Sequence, residues 1–553
     1  MSLTSVVTQH AAAQSKDTPQ RNVSYMASPY VPIESWVYPA FDLLASKGYL
    51  QSAFFDLRPW TRLDCARLLE EAEELTTDEP ISNEIASTLR ALKQEFTPEL
   101  QRRSGERNTE LRLESIDQRI TSIAGKPLTD GYHFASTLVD DDGRPFGQGA
   151  NLYSGITIRA TAGPFSAYIR SELQRVPSTP TPNMQAQQQI ALADFTPFAA
   201  AGPTSNFLRG RLLEANVSFA FANNQLTFGQ QTLWWGPARS GSTLFSNNAE
   251  PITMLRYDRL QPFELPGFLK LLGPIRAQLL VGRLSGAQYL QADHTTFGTP
   301  GTAIDNQPFI HGEKFSFAPT PNFQFGVSRT VLFAGKGAPF TTSSFSRSIF
   351  SVGTGDEQND PGDRRTAFDA SYRIPGLRQC LTGYVDAFAE DEPFPLNYPT
   401  QSTWISGFTL RCVPRLPHLT VRAEGLLSPH RSLFPGFYYF NVHYLSGYTN
   451  NRQLIGSWIG REGQGEQLWA TWQISPRSFI ELSTRSMNAS SEFLQGGSLR
   501  DLRVTADIAL HPEWQLRLED QAERWRFPLL YAQPQHNNAF TLQLSYRPLG
   551  RTR

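Results

Sequence analysis

The feature that most constrains this chain is a hydrophobic period of two, sustained from about residue 111 to residue 547. In DLRVTADIAL, Leu502, Val504, Ala506, Ile508 and Leu510 fall on one face, and Arg503, Thr505, Asp507 and Ala509 on the other. LLEANVSFAF sets Leu213, Ala215, Val217, Phe219 and Phe221 against Glu214, Asn216 and Ser218. FTLQLSY and SFIELSTRS repeat the pattern. Successive side chains of a strand point to opposite faces, so such segments are strands with one apolar and one polar face. Charges within them lie opposite the apolar set and need water or partners there. A sandwich meets that condition as well as a barrel does.

Connection lengths separate the two. Strands are predicted in eighteen segments, from 111–122 to 538–547, each near the about 9–11 residues a tilted strand uses to cross a bilayer. Short gaps at 162–164, 222–224, 317–321, 374–379, 413–416, 475–477 and 511–513, with a medium one at 263–273, alternate with long ones such as 175–211, 235–252, 333–365 and 427–464. A chain threading up and down through a membrane, with trimmed turns on one side and loops on the other, produces that series, and a Greek-key sandwich does not. The even count puts both ends of the barrel on the short-turn, periplasmic side. GFYYFNVHY is read as loop, because a further strand near residue 434 breaks the parity. The expected fold is mainly β: a transmembrane antiparallel β-barrel with a small N-terminal periplasmic α-helical bundle.

Composition agrees. Only 40% of residues are hydrophobic while 12% are aromatic, which suits a sheet with one wet face better than a closed core. No run reaches the about 18 apolar residues of a membrane helix; FLKLLGPIRAQLLVG is interrupted by Lys270, Pro274 and Arg276. Aromatics near strand ends, at Trp234, Tyr257, Tyr372, Tyr384 and Trp525, read as an interfacial belt. Against this, RPLGRTR follows Tyr546 where many such barrels end on an aromatic.

Before the strands the period is helical. Leu63, Ala66, Leu68 and Leu69 form one stripe behind Thr61 as N-cap, and Ile85, Leu89, Leu92 and Phe96 form another. The expected division is a leader over 1–30, disordered or the remnant of a signal peptide, a helical periplasmic domain over 31–107 and the barrel over 108–553.

FGQQTLWWGPARSGSTLFSNNAEP places Trp234 and Trp235 side by side where a strand enters a polar loop. Adjacent strand residues face opposite ways, which leaves three readings: headgroup belt, packing against a neighbouring loop, or a platform for a sugar ring. Arg239, Asn247 and Asn248 follow in the loop, Arg256 lies on the next strand, and loop 427–464 adds Tyr448, Asn450, Trp458 and Arg461. Aromatic, guanidinium and amide groups suit an acidic sugar polymer, and these ten residues are the candidates for polysaccharide contact.

Other chemistry is excluded or unsupported. A net charge of −1 gives no basic footprint for nucleic acid. G-x-S-x-G, H-E-x-x-H and the P-loop are absent, so no enzyme activity, cofactor or metal is expected. Gly353 to Asp363 holds Asp356, Asp360 and Asp363 as conceivable calcium ligands, without EF-hand spacing. Cys65, Cys380 and Cys412 fit no zinc pattern. Cys380 begins one predicted strand and Cys412 ends its hairpin partner, so an antiparallel register in an oxidising compartment predicts a disulfide between them, with Cys65 a buried free thiol.

VPIESWVYPAFDLLASKGYL and LRPWTRLDCARLLEEA resemble the helical N-terminal part of the Wzi capsule-assembly proteins. GQQTLWWGP, SNNAEP and GYTNNRQLIGSWIGREG resemble motifs of that family's barrel and loops. The resemblance runs from about Val31 onward. It implies an outer-membrane barrel with a helical bundle at its periplasmic end, a lectin that holds capsular polysaccharide at the cell surface, in contact with outer-membrane lipid and acting as a monomer. The competing expectation is a porin or passive channel, since about eighteen strands can enclose an aqueous pore.

Overall fold

The computed structural model describes residues 22–548 apart from 78–79, 291–301, 304–305, 335–340, 351–361, 391–393 and 433. Most of the expected leader and the Gly353–Asp363 stretch up to residue 361 therefore lie outside the described residues.

Three helices come first: α1 (Val37–Lys47), α2 (Arg62–Leu75) and α3 (Asn83–Arg103). Each boundary has a local cause. Gly48 ends α1 in the left-handed region at φ 97°, and the Thr61 and Ser82 hydroxyls accept from Asp64 N and Ile85 N to start α2 and α3. The apolar stripes of all three meet around Trp60, Leu69, Leu92 and Phe96.

The strands follow as β1 (Thr109–Ile123), β2 (Gly149–Ala162), β3 (Phe165–Val176), β4 (Phe207–Phe221), β5 (Asn224–Gln231) and β6 (Ile252–Arg259). Next come β7 (Ile275–Arg283), β8 (Phe309–Thr320), β9 (Phe323–Phe333), β10 (Asp363–Arg373), β11 (Leu381–Glu390) and β12 (Thr403–Leu410). The last six are β13 (Leu419–Ser428), β14 (Gly463–Ser475), β15 (Ser478–Ala489), β16 (Gly497–His511), β17 (Trp514–Arg526) and β18 (Gln535–Tyr546). Each pairs antiparallel with its neighbours, and β18 returns to β1 with Tyr546 opposite Ile116 and Ala539 opposite Ile123, closing an 18-stranded barrel.

The apolar face points outward. Leu502 and Val504 are about half exposed, while Asp501, Arg485 and Thr505 are buried inside. This is the inverse of a water-soluble core, and it leaves a wide apolar band around the wall. One face assignment is corrected. Leu213 is the extra residue of a β-bulge, since Glu214 pairs with Arg170 but Leu212 with Ser171. Leu213 therefore points inward and is buried, whereas Val217 and Phe219 face out. The belt reading is corrected too. Tyr372 is exposed, but Trp234, Tyr384 and Trp525 are buried: the strands of Tyr384 and Trp525 aim them into the filled interior, and Trp234 lies beyond its strand in a connection that turns inward.

The helices close the short-turn end. Asp42 pairs with Arg373, Arg411 and Arg422, and Asp64 with Arg276 at 2.6 Å, so acids on helices meet arginines on the strands and, at Arg411, in the short turn. Between α1 and α2 a strap rises into the lumen. Leu57–Arg58 forms a two-residue ladder with Trp234–Trp235, Ser316 Oγ donates to Asp56 Oδ2 at 2.6 Å, and Gln324 Nε2 donates to the Ala53 carbonyl at 2.6 Å. At the same end Cys380 and Cys412 are joined by a disulfide, with Cα atoms 4.7 Å apart, and Cys65 is a buried free thiol.

Candidate functional site: interlocked loops and a lumenal chamber

The long connection 232–251 turns down into the barrel, which buries its backbone and obliges each N–H to find a partner. Inward carboxylates of the wall supply them. Glu424 accepts from Arg239 N at 2.7 Å and Ser240 N at 3.0 Å. Asp386 accepts from Thr243 N at 3.1 Å, Thr243 Oγ1 at 2.6 Å and Ser242 Oγ at 2.8 Å. From below, Gly236 N donates to the Asp56 carbonyl at 2.9 Å. Residues of connection 429–462 descend alongside. Ser246 N donates to the Ile455 carbonyl at 3.1 Å, Asn248 Nδ2 to Leu454 O at 3.1 Å, and Asn450 Nδ2 to Glu250 O at 2.8 Å. Leu244, Phe245, Tyr439, Tyr448 and Ile455 form the apolar seam between them.

Two further connections lock onto this pair through one cluster centred on buried Asp194 and Arg461. His133 lies between Asp130 and Asp194, with a ring nitrogen 2.7 Å from each. Asp194, which ends helix α4 (Met184–Ala193), also pairs with Arg461 at 2.5 Å. The Arg461 guanidinium faces the rings of Tyr132, Phe440 and Phe493 at 4.6–4.9 Å, and its Nε donates to the Gly436 carbonyl. Burial would depress the His133 pKa, but the two carboxylates outweigh it and push it up to about 10. Burial likewise opposes the ionised forms of Asp194 and Asp130, yet His133, joined at Asp194 by Arg461, holds both below the usual carboxylate range.

On the other side of the lumen the filling stops. A chamber of about 400 Å³ lies between the helices and the loops, walled by the inner faces of β1–β3 and β14–β17 and the C-terminal half of β18. Arg477, Pro512 and Arg547 line its short-turn end, and Asp140, Arg239 and Asn247 its loop end. Arginines and acidic residues line it in equal number, and many are already paired: Arg170 with Glu34, Arg144 with Glu172, Arg239 with Glu481, and Arg517 with Glu519. Burial pushes the Asp140 carboxyl up to about 8, so at neutral pH it keeps its proton.

The ten sequence candidates are thus redistributed. Trp234, Trp235, Arg256, Tyr448, Asn450, Trp458 and Arg461 are all at most 5% exposed and are not at the surface. Packing against a neighbour is the reading of the tryptophan pair that the geometry matches: Arg58 covers Trp234 at 4.9 Å, and Trp235 meets Phe245 at 4.8 Å and donates its Nε1–H to Gln278. Arg256 stacks on Tyr30 at 3.8 Å and pairs with Asp258; Tyr448 lies under Arg365. Trp458 lies under Arg485 at 5.1 Å, and half-buried Asn248 is tied to Leu454. Arg239 and Asn247 line the chamber, with Arg239 over Trp469 at 5.1 Å. The two loops chosen from sequence do meet, but as a plug. The cause is chemical: amides, guanidinium groups and indoles that suit a sugar also suit a buried polar filling.

Sequence reasoning missed residues on the outer side of the loops. Arg431 donates to Gln401 Oε1 at 2.8 Å and stacks on Phe437 at 4.9 Å, while Tyr398 beside them is 43% exposed. The FYYF run was the available signal: Phe437 leaves Tyr438, Tyr439 and Phe440 buried as anchors and stays half-buried itself.

An apolar-walled antiparallel barrel of eighteen strands, filled by its own loops and closed at one end by helices, belongs to the class of plugged membrane barrels. The description "Capsule assembly protein Wzi" matches residues 118–540, and the chain belongs to that family, as an outer-membrane β-barrel. A Klebsiella pneumoniae relative described as an uncharacterized 55.8 kDa protein in the cps region is 28% identical over 190 residues, 33% of this chain. The match spans about a third (34%) of that relative's length. Among solved structures, Wzi of Escherichia coli, described as an outer membrane protein involved in group 1 capsule assembly and a carbohydrate binding beta-barrel, superposes with a TM-score of 0.66. That superposition covers 94% of this chain and 100% of the other at 14% identity, a likeness of fold.

Proposed function

We propose that this protein is a non-catalytic surface lectin that holds capsular polysaccharide on the outer membrane, with its long loops facing outward and its helices in the periplasm. Family membership supports the role in capsule assembly, and the carbohydrate binding ascribed to the Escherichia coli protein supports the ligand class. The observation that carries the reading is the plug. Four connections, 124–148, 177–206, 232–251 and 429–462, are tied together across the long-loop end by buried hydrogen bonds and by the Asp130–His133–Asp194–Arg461 cluster. Such construction offers a rigid outer surface and opposes a passive channel. The sugar contacts belong on the exposed side, around Tyr398, Gln401, Arg431 and Phe437. Each contact is weak, and a long polymer is retained by repeated engagement.

The test is a Tyr398→Ala/Arg431→Ala double variant. It should release capsule into the medium while the barrel still inserts and keeps its heat-modifiable mobility; full retention would place the glycan contact elsewhere. Wild-type protein in planar bilayers should show no steady porin-like current, and a large steady current would favour the channel.

A further inference from the structure

The lumenal chamber carries chemistry that a filled barrel does not require. Four polar atoms on its loop end have no hydrogen-bond partner among the described residues: Asp140 Oδ1, Ser240 Oγ, Asn247 Oδ1 and Gln467 Oε1. Ser240 is 2% and Asn247 6% exposed, so these are buried groups, which as a rule are not left unsatisfied. Tyr168, 4% exposed, presents a fifth such atom, its hydroxyl, on the same wall. Beside the first four stands Trp469, an inward indole with an arginine on it and outward Leu468 as its strand neighbour. The chamber's about 400 Å³ lies within the range of small-molecule sites, roughly 300–1,000 Å³.

The pattern of what is paired and what is free selects the ligand. Nearer those atoms the wall arginines Arg119, Arg144, Arg170, Arg239, Arg503 and Arg517 are engaged by acids, so an added carboxylate or sulfate there would have to break an existing pair to gain one; Arg477 and Arg547, which form no ion pair among the described residues, stand at the short-turn end. The uncommitted atoms are mainly oxygen acceptors, which ask for donors. Hydroxyl groups on an uncharged ring meet that demand, and an indole offers a platform for the ring's C–H face. We propose that the chamber is a second binding site, distinct from the outer loop surface, that takes a short neutral saccharide of one or two rings. It is not a site for an acidic sugar, although acidic polymer was the ligand class expected for the loops.

The experiment is isothermal titration of the purified full-length protein in detergent with maltose, lactose and cellobiose, against glucuronic acid and galacturonic acid at the same ionic strength. At least one neutral disaccharide should bind with millimolar or better affinity, and the uronic acids at least about tenfold more weakly. Asn247→Leu and Gln467→Leu, whose side-chain oxygens hold no other group, should each weaken that binding about tenfold without shifting thermal unfolding. Tyr398→Ala should leave it unchanged, which separates this site from the outer one. No neutral binding, equal binding of uronic acids, or neutral binding indifferent to both leucine variants would each overturn the assignment. Loss of capsule retention in Tyr398→Ala/Arg431→Ala with disaccharide binding intact bears on the outer surface alone.

Discussion

Arg461→Ala should unlatch the loops without unfolding the barrel. The guanidinium is 1% exposed, pairs with Asp194 at 2.5 Å, donates to the Gly436 carbonyl at 2.7 Å and sits among three aromatic rings. Removing it leaves buried Asp194 with the imidazolium alone, which it shares with the partly exposed Asp130. Breaking a buried pair by deleting one partner costs about 3–5 kcal/mol. At about 1.4 kcal/mol per tenfold, that is roughly two to three and a half powers of ten in the opening equilibrium of the plug. Hydrogen exchange reads this directly. Peptides from 127–148, 183–196 and 429–462 should lose protection by that factor, while peptides from β16 and β17, held by a continuous ladder from Ser498–Arg526 to His511–Trp514, should not change. Arg461→Lys should recover only part, because an ammonium cannot serve the acid and the carbonyl in the guanidinium's fixed fork. Unchanged protection in the three loop regions would refute the latch; equal loss in the strands would show that loops and barrel unfold as one unit.

The cluster also fixes a pH window. His133 is raised to about 10 from an unfolded value near 6.5, so its contribution is complete below about pH 6.5 and gone above about pH 10. Asp130 and Asp194 are lowered from 3.8, so theirs is present above about pH 4 and lost in acid. Loop protection, corrected for intrinsic exchange, should therefore be flat from about pH 4 to 6.5 and decline above it; His133→Phe should abolish the alkaline decline, and a decline that persists in it would assign the effect to another group. Thiol titration of the denatured, unreduced protein should find Cys65 alone, and reduction should add Cys380 and Cys412; three thiols without reduction contradict the pairing. With a membrane-impermeant maleimide on intact cells, Arg452→Cys should label, since Arg452 is exposed on loop 429–462. Cysteines at 475–477 and 511–513 should not label, and the reverse result inverts the orientation.

The wall of this protein is legible in its sequence and the filling is not, for a physical reason. Period-two alternation states which residues share a face, and the order of long and short gaps states how strands succeed one another; together they yield eighteen strands and a closed sheet. Neither says what lies against the polar face. A bulge of one residue, at Leu213, is silent in the pattern. A loop such as 232–251, rich in Gly, Ser and Asn, reads as solvated, because those residues are at home in water as well as in a polar interior.

The trace of the filling lies in the pairing of inward charges, which requires the register. On the chamber side some charges answer one another across strands: Arg170 stands opposite Glu214, and Asp507 opposite Arg517. On the plugged side Arg365 likewise stands opposite Glu390, but two other acids go unanswered. Asp386 stands opposite Asp369, and Glu424 opposite Gly407 on one strand and Gln467 on the other. A carboxylate aimed inward with no cation across from it is costly unless something else donates to it. Here the donors are backbone N–H groups of Arg239, Ser240 and Thr243, from a loop about 140 to 190 residues earlier in the chain. At Asp386 and Glu424 the unanswered acid therefore marks where a loop must be received. Replacing Glu424 by Gln keeps one acceptor oxygen, turns the other into an NH2 donor that faces a backbone N–H, and removes the charge that both N–H groups share, so the 232–251 turn should loosen while the chamber-side wall stays in place.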